Sequence, residues 1–260
     1  MDYLTPFRSE LKTRILTNLL TGNKKLSDLK SAIGTRETTI LHVLKEFERM
    51  SLTTKVQGVY KLAPLGLIEA KICKEVIAAT EAMTELKDFL VKHDTTTIPE
   101  HLLLRIGALK GASLIKTGTS ELGKVHETFI NVLLNSKKIL GISPIFHKDF
   151  VDVFGHLLNQ GCTAELILTP EVLNKTLGSA DAQLFQKYLI EEKLKIFVKE
   201  SNLKVALTVS DRIFSLGLFD LNGEYDYTED LISKNPEAIV WGEELFRQTM
   251  EGSKRLLLPK

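Results

Sequence analysis

Hydrophobic positions recur at two kinds of spacing along this chain, and each change of spacing marks a new element. Leu11, Ile15 and Leu19 step by four, with Leu16 and Leu20 widening the stripe. That spacing predicts a helix opened by Thr5-Pro6 and closed by Gly22. Leu26, Leu29 and Ile33 predict a short second helix with Ser27 as its cap. Gly34 can take the left-handed conformation that stops it, and Thr35 can cap the next helix. Ile40, Val43, Leu44, Phe47 and Met50 predict a third helix over 36–50. From 52 to 62 the pattern alternates around Val56-Gln57-Gly58-Val59, which predicts two strands and a tight turn.

The order helix, helix, turn, helix, hairpin reads as a winged helix-turn-helix over 1–63, a module whose third helix enters the DNA major groove. Behind it, 64–92 predicts a long helix. Ile72, Val76, Ala79, Met83, Leu86 and Leu90 step by alternating fours and threes, the seam of a coiled coil. Of these, Ile72, Val76, Met83, Leu86 and Leu90 are the expected dimerisation residues, since a homodimer would present two recognition helices to a palindromic site. The alternative is that this face packs on the chain's own C-terminal domain. The polar stretch 93–99 is expected as a linker, so that 64–97 forms a separate linking segment.

Beyond it, 98–260 alternates strands and helices. Strands are predicted at 112–116, 138–142, 164–168, 194–198, 205–209 and 213–219. Helices are predicted at 119–135, 148–159, 170–192 with a break near Gly178, and 236–256, the last burying Ile239, Leu245, Phe246 and Met250. This is a mixed α/β class with a largely parallel sheet, to which Asn222-Gly223 adds a hairpin turn.

Charge sharpens the picture. The first 63 residues hold eleven basic and six acidic side chains and the remainder is net acidic, although the whole chain is only +1. A basic front suits double-stranded DNA. On the third helix, Arg36, Thr38, Thr39, His42 and Lys45 share the polar face and can donate hydrogen bonds to bases or phosphates, and Lys55 and Gln57 belong to the wing. The alternative is a winged helix used for protein docking.

Elsewhere chemistry is sparse. No nucleotide-binding glycine loop, serine-hydrolase elbow or zinc-protease motif occurs, and His147-Lys148-Asp149 lacks the spacing of a phosphodiesterase. We expect no catalytic residue, metal or cofactor, with a degenerate phosphodiesterase as the enzymatic alternative. The acidic run Asp220, Glu224, Asp226, Glu229 and Asp230 lacks alternating calcium ligands and reads as a solvated hairpin. Ser143 and Thr169 end two strands and are the candidate contacts for an unknown small-molecule effector, although helix capping explains them as well. Cys73 and Cys162 are too far apart in sequence for a metal knuckle and read as structural thiols. With no signal pattern and no membrane-length apolar run, a cytoplasmic location and no membrane partner are expected.

Gly34-Thr-Arg-Glu-Thr-Thr-Ile-Leu-His-Val-Leu-Lys-Glu-Phe and Val59-Tyr-Lys-Leu-Ala-Pro-Leu-Gly66 resemble the recognition helix and wing of archaeal winged-helix regulators. Ala63 stands where such wings often carry threonine. Ile98-Pro-Glu-His-Leu-Leu-Leu-Arg-Ile-Gly-Ala-Leu, with Asp220 to Asp230 and Ala238-Ile-Val-Trp-Gly, is similar to the companion domain of the methanogenesis regulatory (filamentation regulator) family. The resemblance implies an archaeal transcription factor whose C-terminal domain is regulatory, akin to a phospholipase D-like half domain without its catalytic motif.

Overall fold

Ser9 accepts a hydrogen bond from the Lys12 backbone N–H at 3.4 Å and opens α1 (Glu10–Leu20). The expected Thr5-Pro6 start lies outside the residues that the computed structural model describes, which are 9–116, 133, 135–200 and 203–257. A two-residue strand, β1 (Lys24–Lys25), precedes α2 (Leu26–Ile33). Ser27 is therefore inside the helix. The Asp28 carboxylate instead accepts from the Lys25 backbone N–H at 2.8 Å, satisfying one exposed donor of the helix start. Gly34 closes α2 at φ 73°, donating to Lys30 O at 2.9 Å, and Arg14 reaches Ile33 O at 3.0 Å. α3 (Glu37–Arg49) starts from Arg36 rather than Thr35. β2 (Thr53–Val56) and β3 (Val59–Leu62) form the hairpin, and β1 adds to β3 to give the order β1-β3-β2.

The core of this unit is apolar: Ile15, Leu16, Leu29, Ile40, Leu44, Phe47, Leu52 and Tyr60 are buried, joined by Ala70 and Cys73 of α4 (Pro64–Glu85). Gly66 lies in the first turns of α4, where a Cβ would collide with the Leu52 carbonyl oxygen. That oxygen also accepts from the Ala63 N–H at 2.9 Å, so the helix start is fastened directly to backbone.

The chain divides into two units, Met1–Thr80 and Glu81–Lys260, with the boundary inside α4. The long helix expected to Lys92 is interrupted at Leu86, after which α5 (Lys87–Leu90) follows. Residues 93–99 are no free linker. His93 and Ile98 are buried, His93 makes a β-bridge to Asp220, and Asp94 pairs with Lys204 at 2.7 Å, all within the second unit.

After α6 (Glu100–Leu103), the second unit is built on a sheet of eight strands: β4 (Ser113–Lys116), β5 (Lys138–Ser143), β6 (Thr163–Leu168), β7 (Leu194–Val198), β8 (Val205–Ser210), β9 (Phe214–Leu218), β10 (Glu229–Ser233) and β11 (Lys254–Arg255). Their order is β11-β7-β6-β5-β8-β9-β10-β4. Among the described strands, only β5, β6 and β7 are mutually parallel, each joined to the next through helical segments. The remaining pairs are antiparallel, which corrects the expectation of a largely parallel sheet. Once β8 turns back through a short loop into β9, a hairpin leaves no room for a crossover helix.

α7 (Lys148–Asn159), α8 (Pro170–Ser179) and α9 (Ala182–Ile190) contribute Leu157, Leu158, Val172, Leu173 and Tyr188 to a core with Ile139, Ala164, Leu194 and Ile196. α10 (Pro236–Met250) buries Ala238, Trp241, Gly242, Leu245 and Phe246. Its buried stripe is therefore rotated from the expected one, since Ile239 and Met250 are only half-buried. Trp241 donates from Nε1 to Leu102 O at 2.9 Å and meets Phe214 edge-on at 5.9 Å. The helix expected at 119–135 falls mostly outside the described residues.

Candidate nucleic-acid interface

The buried face of α3, Ile40, Val43, Leu44 and Phe47, fixes the orientation of the opposite face. Arg36, Thr38, Thr39, His42 and Lys45 are all exposed there. Thr38, His42, Lys45 and Arg49 follow one another at helical steps of three and four, making a single stripe. His42, Lys45, Glu48 and Arg49 border a shallow surface depression. Arg49 was legible as a basic residue in the sequence but not as part of this stripe, because it sits in the last turn, beyond the residues usually credited with base contacts.

Electrostatics favour an anion on this face. Glu46 is engaged by Lys12 at 2.6 Å and Glu37 by Lys30 at 3.7 Å, so two of the acids on α3 are offset. Among the described residues, Arg36, Lys45, Arg49, Lys55 and Lys61 form no ion pair. The paired lysines are engaged within the unit, and the unpaired cations leave positive charge exposed on this face.

The wing carries Lys55, whose Nζ lies 5.0 Å from the centroid of the Tyr60 ring. Its tip is Gln57 at φ 50° followed by Gly58 at φ 78°, the two left-handed residues that a tight turn between twisted strands requires. Gln57 is exposed at that tip.

The expected dimer seam is divided. On α4, Ile72 is 48% exposed, Val76 48% and Met83 50%, and Ile68 extends the stripe at 59%. Leu86 is buried at 2% and packs within the chain rather than offering a seam, and Leu90 is half-buried.

The α/β unit holds a cavity of about 840 Å³. Apolar walls include Phe146, Phe154 and Phe185, while Ser143, Thr208, Ser215 and Asp230 bring polar atoms to it from four strands. Burial, helped by the nearby Asp226 carboxylate, pushes the Asp230 carboxyl up to about 6. Desolvation and the Asp230 carboxylate raise the Tyr225 hydroxyl beside it. Ser143 thus lines the cavity, its hydroxyl donating to Ile145 O at 2.7 Å. Thr169 does not line it: its Oγ1 accepts from Val172 N at 3.2 Å and caps α8. Cys73 and Cys162 are buried, and burial raises both thiols to about 11, which leaves little thiolate for redox chemistry. Among the described residues no helix is long and apolar enough to cross a membrane.

A helix-turn-helix with a basic wing, joined to a mixed α/β unit, defines a winged-helix protein with a C-terminal α/β domain. Family models sharpen that class. The N-terminal domain of methanogenesis regulatory protein FilR1 matches residues 4–81 and its middle domain matches residues 122–252. The chain belongs to this FilR1 methanogenesis regulatory family. It is 31% identical over 252 residues to methanogenesis regulatory protein FilR1 of Methanothrix harundinacea (strain 6Ac), covering 95% of this chain and 56% of that protein. The chain therefore spans about half the length of the curated relative it matches. Among solved structures, the archaeal chromatin protein TrmBL2, reported with a novel mode of DNA binding, is similar at 16% identity and a TM-score of 0.45, over 96% of this chain and 95% of that one. NucT from Helicobacter pylori is similar at 16% identity and a TM-score of 0.41, over 56% of this chain and 98% of that one. Likenesses at these scores carry no functional inference.

Proposed function

We propose that this chain is a DNA-binding transcriptional regulator and not an enzyme. It acts as a homodimer on a palindromic operator, with its α/β unit responding to a small-molecule effector. The observation that carries this reading is the α3 face, where hydrogen-bond donors and unpaired cations stand together while the neighbouring acids Glu37 and Glu46 are engaged by lysines. Arg36, Thr38, Thr39, His42, Lys45 and Arg49 contact bases and flanking phosphates, and Lys55, Gln57 and Lys61 contact backbone from the wing. Selecting bound fragments from a genomic library and footprinting them tests this; the reading requires an enriched sequence with two-fold symmetry, and selection of no sequence contradicts it.

Dimerisation uses the exposed stripe Ile68, Ile72, Val76 and Met83 of α4, which a monomer would leave in water. The double variant Val76→Asp/Met83→Asp is expected to sediment as a monomer, and an unchanged dimer would remove this stripe as the interface. For the effector, the cavity of the α/β unit supports a ligand with an apolar body and one or two polar groups, met by Ser143, Thr208, Ser215 and Asp230.

A further inference from the structure

We propose that His93, Asp226 and Glu229 form a binding site for one divalent transition-metal ion in the α/β unit. One ligand atom from each residue lies within 4.8 Å of the other two. His93 Nε2 stands 3.2 Å from Asp226 Oδ2, the separation of neighbouring ligands around an ion with bonds of about 2.0–2.2 Å.

Each side chain is held by hydrogen bonds of its own. His93 Nδ1 donates to Phe89 O at 2.7 Å, which in the neutral ring leaves the Nε2 lone pair directed at the carboxylates. Asp226 Oδ1 accepts from the Thr228 backbone N–H at 2.7 Å and its hydroxyl at 2.6 Å. Glu229 Oε1 accepts from Lys92 Nζ at 2.9 Å and lies 3.4 Å from Lys116 Nζ. The remaining oxygen, Glu229 Oε2, is buried without a hydrogen-bond partner in a residue only 7% exposed. Native proteins seldom keep such an atom unsatisfied, and a cation satisfies it.

One imidazole and two carboxylates suit Zn²⁺, Mn²⁺, Co²⁺ or Ni²⁺ better than a soft ion, with water completing the coordination. Lys92 and Lys116 oppose a further positive charge, so the affinity is moderate and the ion exchangeable. The competing arrangement is an ion pair of protonated His93 with Asp226, with no metal. Occupancy would tie the chain at His93, where Asp94 N donates to Phe219 O at 2.8 Å, to the start of β10. The next residue, Asp230, lines the cavity, so the ion would stiffen one of its edges.

The test is Co²⁺ titration of the chelator-treated full chain, followed by visible absorption and thermal melting. We expect d–d bands that saturate at one equivalent and a melting temperature that climbs with free metal. Glu229→Gln and Asp226→Asn should weaken binding at least tenfold. No saturable binding up to millimolar Co²⁺ in the wild type would overturn the site, as would equal binding by a folded Glu229→Gln variant. Should neither variant fold, paramagnetic shifts of the His93 ring in the wild type decide the matter. Shifted His93 resonances support the site, and unshifted ones at saturation overturn it.

Discussion

In the N-terminal unit the charged side chains stand outside a core of apolar and aromatic groups, whereas the C-terminal unit buries His93 and Glu229 and partly desolvates the Asp230–Tyr225 pair. The difference fits the partners proposed above for the two units. A surface that meets a polyanion keeps its charges solvated and free until contact, and relies on a dry core to hold their geometry. A unit that receives a small ligand or an ion needs polar atoms already desolvated and aimed inward. Glu69 of α4 is the exception on the N-terminal side: it is buried, and neither carboxylate oxygen has a hydrogen-bond partner.

The largest loss of stability is expected at Gly66. Adding a methyl there drives it into the Leu52 carbonyl, which the helix start cannot avoid. Gly66→Ala is expected to cost about 3 kcal/mol or more, at the upper end of overpacking, measured as a lowered urea midpoint. Next come the outward charges. Arg36→Ala and Lys45→Ala should each weaken DNA binding by about 1–3 kcal/mol in fluorescence anisotropy. Both should leave the melting temperature nearly unchanged, because neither side chain has an ion-pair partner among the described residues.

A smaller effect sharpens the exception. Burial raises the Glu69 carboxyl above its ordinary value of 4.5. From pH 4.5 upward the unfolded chain gives up this proton while the folded chain retains it, so the linked stability falls as pH rises, until the folded carboxyl also ionises. Glu69→Gln should remove that slope and raise stability at neutral pH relative to the wild type, read from urea unfolding at pH 4 and pH 7. The smallest expected change is at the wing tip. Gln57→Gly should stabilise by about 0.5–1 kcal/mol, because glycine takes φ 50° without a steric penalty.

The N-terminal unit was largely legible because its order rests on local signals: periodicity, a glycine stop and an alternating hairpin. Its errors were at caps: Asp28 rather than Ser27 serves the start of α2, and α3 starts from Arg36 rather than Thr35, while Thr5-Pro6 lies outside the described residues. In the α/β unit, β5 to β9 were found within about two residues, but β10 and β11 were missed, since Glu229-Asp230-Leu231-Ile232-Ser233 and Lys254-Arg255 carry too few apolar residues to read as strands. The His93 cluster was illegible for a different reason. Its partner Asp226 lies 133 residues away, and the acidic run around it resembles a solvated hairpin until β10 pairs with β4 and β9 and buries Glu229. Tertiary pairing, which no local pattern encodes, converts those acids from surface charge to candidate ligands.

The central claim is that the α3 face and wing meet DNA through phosphates as well as bases. The affinity of the full chain for its selected operator, measured by fluorescence anisotropy across a salt series, tests it directly. A log–log slope of about −0.9 is expected for each phosphate neutralised. Removing Lys55 or Lys61 should make that slope shallower by close to one phosphate. A selected operator bound with an affinity indifferent to salt, or a slope unmoved by those substitutions, would contradict it.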